Sequence, residues 1–262
     1  MELSLELLIV SCLAFLVTHL GISGTPLRTM LRNALGETPY LGVYSLLSLG
    51  TLGAMVYGYA QVPHTDFNWY PSITAYKVAK VLVFLSLVMI VMGTLVKNPT
   101  AVHSEQALDN EVSGLLKITR HLVQWGILLF ACGHLLANGD TASILFFGTL
   151  VLLSFFGMLS MDQRWRRETD PKWQAFMEKT SMVPFVALIS GRLRFTRADI
   201  NWVGLSASFA LYGVLYWMHD LVRVACALFH RIPMHKIRTI SGPDVLSGRG
   251  FWFRNPARRV RN

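Results

Sequence analysis

The sequence predicts an all-α, polytopic membrane protein of about six transmembrane helices, the fourth and fifth joined as a tight hairpin. Three observations predict it. Charged residues make up 15% of the 262 positions and hydrophobic ones 53%, whereas an ordinary soluble domain carries about 25% charged residues. The mean hydropathy is +0.43. The uncharged residues gather into runs near the ~20 residues that an α-helix needs to cross a bilayer, separated by turn-forming residues. Cys12, Cys132 and Cys226 all fall in apolar segments, so they imply no disulfide framework.

The first span is read at 3–22. It opens on Glu2 and Glu6 rather than Lys or Arg, and no small-residue cleavage site follows, so it reads as a retained helix. The second, 41–60, is rich in glycine (Gly42, Gly50, Gly53, Gly58), read as positions of close helix approach. Pro63, His64, Asp66, Trp69 and Tyr70 mark the connection to the third span, 73–96, where Lys77 and Lys80 share one face and can reach the headgroups. The fourth span, 121–137, ends in Asn138-Gly139-Asp140, a turn signal that sends the fifth, 141–161, straight back. A charged, amphipathic stretch from 162 to 179 follows. The apolar piece 181–192 is too short to cross and reads as interfacial or re-entrant. The sixth span is read at 200–218. This divides the chain into a membrane domain, 1–219, and a basic, poorly ordered tail, 220–262.

Charge distribution sets the orientation. Of 24 Lys and Arg, eight lie between 162 and 199 and nine after 218; the 62–72 and 138–141 connections hold none. Basic loops on one side fit the positive-inside pattern of a multi-pass protein in the cell's inner (plasma) membrane. Six spans would put the tail on the opposite side, its nine basic residues notwithstanding. The formal net charge of +9 therefore points to the lipid bilayer as partner. No nucleic acid is implied, because the basic stretches carry no fold that reads one.

Chemistry concentrates in residues 119–140. Arg120-His121 opens the run, His134 sits deep in it, and no other acid or base falls between 121 and 137. Titratable groups at membrane depth are costly and so mark functional positions. His121 and His134 are thirteen residues apart, about 20 Å along a helix and roughly 220° around it. One straight helix cannot bring both to one ligand, so each takes a partner from elsewhere, Asn138 being the nearest for His134. His19 lies in another uncharged run. Arg120-His121 stands at headgroup depth, as an anchor or as a binder of a propionate or phosphate. His64, His103, His219, His230 and His235 fall in loops, span ends or the tail. Met89, Met92, Met158 and Met161 read as gap-filling core, and no G-x-S-x-G, P-loop or cysteine-pair metal motif occurs.

Phe15-Leu-Val-Thr-His19 with Pro26-Leu-Arg28, Ile118-Thr-Arg-His121, Gly133-His134-Leu-Leu-Ala-Asn-Gly-Asp140 and Thr180-Ser-Met-Val-Pro-Phe185 with Gly191-Arg192 resemble the NnrU family over about residues 3–219. The resemblance implies an integral membrane protein associated with denitrification, that is, with nitrite or nitric oxide metabolism. A relative of that family, the 15-cis-zeta-carotene isomerase of plants and cyanobacteria, is a haem b enzyme whose iron is held by two histidines. The matching positions here are His19 and His134, with haem b the implied cofactor and an isomerase-like role if the protein is an enzyme. Arg28, Arg120 and Arg192 become candidate propionate partners, since guanidinium pairs carboxylates bidentately. Alternating spans place His19 and His134 about 15–20 Å apart in depth. Topology alone therefore pairs His19 with His121, while the resemblance pairs it with His134. Leu122 replaces the family's proline after Arg-His, and Cys132 lies one step from the relative's cysteine position, Ala131.

Arg120-His121, the hairpin, Arg164, Glu168, Trp173, Phe176 and Pro184 are also similar to the isoprenylcysteine methyltransferase pattern. That resemblance implies S-adenosylmethionine where the hairpin meets the basic segment. Both enzyme readings imply a hydrophobic small molecule as substrate.

Overall fold

The computed structural model describes residues 2–23, 25–100, 105–167 and 169–229. His103, Glu168, His230, His235 and most of the basic tail lie outside them. Among the described residues the secondary structure is helical, with one isolated antiparallel bridge between Phe67 and Asp140.

Helix α1 (Glu2–Leu16) runs on into a π-helical segment, Val17–Ser23. A short α2 (Leu27–Leu35) leads to α3 (Glu37–Gln61). α4 (Ile73–Leu95) starts where the Ser72 side chain accepts a hydrogen bond from the Ala75 amide, the usual way of satisfying an orphan N–H at a helix start. α5 (Leu122–Ala137) and α6 (Thr141–Trp165) form the hairpin, with Asp140 capping α6 through the Ser143 amide. α7 (Pro171–Lys179), capped by Asp170, and α8 (Val186–Ile189) precede α9 (Trp202–Phe229). α1 packs on α3 and α6, α4 on α5, and α5 on α6. Leu8, Cys12, Phe15, Met55, Val62 and Ala142 form the core between α1, α3 and α6.

Four helical stretches among the described residues are long and apolar enough to cross a membrane: Leu3–Ile22, Glu37–Gln61, Ile73–Leu95 and Thr141–Trp165. Their outward faces are apolar, with Val43, Leu46 and Leu49 exposed on α3 and Phe155 and Phe156 on α6. The chain is thus a helical membrane protein. The fourth expected span is shorter than a crossing helix: α5 has 16 residues, about 24 Å against a hydrocarbon core of about 30 Å. Its start is held back because residues 118–120 pair with a later segment. Ile118 O accepts from the Phe185 amide at 2.9 Å, and the Arg120 amide donates to Ser181 O at 3.0 Å. The expected sixth span falls within α9. Its first half meets α4, with Phe209 and Tyr212 ringing Phe84 at 4.6 and 5.5 Å. The chain divides by contacts into Met1–Gly213 and Val214–Asn262.

Of the four glycines expected to mediate close packing in the second span, only Gly58 does so. A Cβ there would sit 3.0 Å from the Leu8 Cα, whereas Gly42, Gly50 and Gly53 face open space. Those three lie off the one face of α3 that meets α1. The close approach is between α4 and α5 instead. A Cβ at Gly126 would stand 2.5 Å from Ile90 Cγ1, at Gly93 2.9 Å from Leu122 Cβ, and at Gly133 3.1 Å from Val83 Cγ2.

Candidate functional site

Two histidines sit in matching local settings. His19 Nδ1 donates to Phe15 O at 2.9 Å, and its ring meets the Phe15 ring at 4.2 Å. His134 Nδ1 donates to Phe130 O at 2.9 Å, and its ring meets the Phe130 ring at 4.1 Å. A carbonyl only accepts, so the proton of each neutral imidazole is on Nδ1 and the lone pair on Nε2. Both arise from the sequence pattern Phe-x-x-x-His, which puts the two rings on one helix face. His19 lies in the π-helical segment, a departure from α-geometry that often accompanies functional positions. Thr18 bonds Ala14 O at 2.7 Å beside it.

Their relative depth follows from neighbouring contacts. Cys12 Sγ reaches Leu145 O at 3.7 Å, and the His134 ring stacks on Phe147 at 4.6 Å and 23°. Cys12 and His134 therefore stand abreast of the same turns of α6. His19, seven residues beyond Cys12, lies about 10 Å further along the axis. That is less than the separation drawn from span ends alone. Sideways, His19 meets Tyr44 of α3 at 5.7 Å, while His134 faces α6. Asn138 bonds the His134 carbonyl, at 2.8 Å.

His121 belongs to a different cluster, at the far end of α6. Arg120 grips Asp162 with two hydrogen bonds, Nε to Oδ1 at 3.0 Å and Nη2 to Oδ2 at 2.9 Å. His121 Nε2 donates to the same Oδ1 at 2.7 Å. All three residues are buried. Arg120 Nη1 completes its set on Met177 O and Thr180 Oγ1. His121 Nδ1 is sealed from solvent and meets no hydrogen-bond partner among the described residues. The His121 ring stacks parallel to Trp165 at 5.5 Å, and Trp165 on Trp173 at 5.3 Å. Thr119 Oγ1 and Trp125 Nε1 both donate to Met182 O, so the Thr180-Ser-Met-Val segment closes this end. Phe185 turns it with a left-handed backbone (φ 68°). The apolar piece that reads as interfacial is thus a hook tied to residues 118–125.

Arg120 is therefore fully occupied, which obstructs a propionate role for it, while Arg192 is only partly so. Arg120 is spent on Asp162. Arg192 donates Nε to Ser190 Oγ and Nη1 to the carbonyls of Glu178 and Thr180. Arg28 lies on α2, which packs on the π-helical segment that carries His19, and makes no ion pair among the described residues.

A third cluster was not legible as a site. His64 Nδ1 donates to Asp140 Oδ1 at 2.7 Å, Ser143 Oγ to Asp140 Oδ2 at 2.7 Å, and Tyr59 OH lies 3.0 Å from Ser143 Oγ. Burial pushes the Asp140 carboxyl up, but bonds from His64 and from Ser143 outweigh it and hold it down at about 2. Around it the Asn68 amide donates to Gly139 O and the Thr141 amide to Asp66 O. The Asn-Gly-Asp turn pointed to Asp140, but nothing local points to His64, 76 residues away. Asp162, similarly, reads from sequence as the first of a run of surface charges.

The family model described as NnrU protein matches residues 7–226. No curated protein and no solved structure is a significant match to the chain. The family match covers every cluster described above and most of the chain, and the chain belongs to the NnrU family.

Proposed function

We propose that the protein is a six-span, haem b-binding protein of the inner membrane that serves nitrite or nitric oxide metabolism, with His19 and His134 as the residues that would hold the iron. The observation that carries this reading is the shared setting of the two imidazoles. A histidine that ligates a metal commonly donates its other ring N–H to a carbonyl, which fixes the ring and keeps the ligating nitrogen unprotonated. His19 and His134 each do so one helical turn back. His121 is set up differently, its Nε2 being committed to Asp162. By its Nε2 lone pair His134 suits an iron better than His121 does. Two Fe–N bonds of about 2 Å each would need both Nε2 atoms within about 4 Å, so α1 and α5 would have to draw together from the depths described above for His19 and His134 to share one metal. Arg28, on the helix that packs on the His19 segment, is the candidate guanidinium for a propionate. A bound haem would supply a redox-active iron; the chain's part is to orient both imidazoles and to keep water from them with Phe15, Phe130 and Phe147.

An absorption spectrum of detergent-purified protein tests this. Wild type is expected to carry a Soret band. His19→Ala and His134→Ala are each expected to lose it, and His121→Ala to keep it at reduced occupancy. Colourless wild-type protein that takes up no added haemin would end the haem reading.

A further inference from the structure

The end of α6 and the hook over residues 180–192 border an open pocket of about 300 Å³ that the haem assignment does not use. This lies at the lower end of the size range of ligand sites. Arg120, Arg166 and Arg192 line it, with Asp162 as the one acid among the described lining residues. Arg120 and Asp162 neutralise one another through their paired hydrogen bonds. The other two guanidiniums are not neutralised. Arg192 uses Nε and one terminal nitrogen on Ser190 and backbone carbonyls, leaving Nη2 unbonded. The Arg166 side chain, exposed at the mouth, makes no hydrogen bond or ion pair with any described residue; only its backbone amide is bonded, to the Asp162 carbonyl.

The remaining wall is mostly apolar, with Met177, Met182, Val183 and Val186 beside Thr180 and Ser181. Outside it, Phe185 is 52% and Ile189 84% exposed. An apolar shelf beside a guanidinium rim, just past the apolar length of a crossing helix, matches the boundary between acyl chains and headgroups. Guanidinium pairs bind phosphate oxygens in a forked geometry. We propose that this pocket binds the phosphate of an anionic phospholipid, with Arg166 and Arg192 holding the headgroup and the acyl chains lying along the 183–189 shelf.

The test uses delipidated full-length protein and native mass spectrometry. It is titrated with dioleoylphosphatidylglycerol, with dioleoylphosphatidylcholine and with inorganic phosphate. Arg166→Gln is the informative variant, because an exposed, unbonded side chain can be replaced without unfolding the hook. Lys179→Gln controls for general surface charge. Wild type is expected to retain phosphatidylglycerol over phosphatidylcholine, and Arg166→Gln to weaken that retention about tenfold, with Lys179→Gln unchanged. Displacement of phosphatidylglycerol by inorganic phosphate supports the phosphate chemistry. Phosphate binding without any retained phosphatidylglycerol overturns the lipid as its source. Equal retention of the two lipids, or equal loss in both variants, overturns the site. None of these readouts depends on the haem spectrum.

Discussion

Asp162 holds two buried bases, so its removal tests the polar end of α6 most sharply. Asp162→Ala leaves Arg120 charged and unpaired in the interior. Breaking one side of a buried pair costs about 3–5 kcal/mol, so a large drop in the thermal midpoint in detergent is expected. Replacing both partners at once, as in Arg120→Met with Asp162→Leu, is expected to recover much of that loss, since no charge is then stranded. Asp140 gives a pH signature instead. Its folded value of about 2 lies below the ordinary carboxylate value near 4. The stability it contributes is therefore complete above about pH 4 and is lost as pH falls toward 2. Protection of the Asn68 and Thr141 amides, whose N–H groups bridge the connector and the turn, relative to their intrinsic exchange rate at each pH, is expected to fall over that window. In Asp140→Asn that protection is expected to be low already at neutral pH and to change little with acid.

At the level of elements, the α4–α5 pair rests on glycine. A Cβ at Gly126 meets Ile90 well inside contact distance, so Gly126→Leu has to push the helices apart. Overpacking of that kind costs about 1–3 kcal/mol, expected as a lower thermal midpoint, with Gly50→Leu, which faces open space, near neutral. The contrast also shows what the sequence could not reveal. Apolar runs made helices legible because a bilayer demands uninterrupted apolar length, and Asn138-Gly139-Asp140 marked the hairpin because its turn chemistry is local. Which glycines face a neighbour depends on helix rotation, and glycine spacing within α3 alone does not give that. The shortness of α5 was hidden for the same reason: its start is set by hydrogen bonds to residues 181 and 185, some sixty positions on. His19 and His134 stood out as lone imidazoles in apolar runs. Asp162 and His64 did not, because their partners lie 41 and 76 residues away.

For the whole molecule, α6 is the common reference. α1 and α5 both pack on it, and its two ends carry the Asp140 and Asp162 clusters. The two Phe-x-x-x-His turns lie between those ends, about 10 Å apart in depth, on helices that run in opposite directions. In the function proposed above, one iron would take a nitrogen from each of these helices. Low-temperature electron paramagnetic resonance of the ferric protein reads this directly. Wild type is expected to give a low-spin signal of bis-imidazole type, and His134→Ala with added haemin a high-spin, five-coordinate one, with His121→Ala remaining low-spin. A low-spin signal that survives in His134→Ala and disappears in His121→Ala would contradict this pairing.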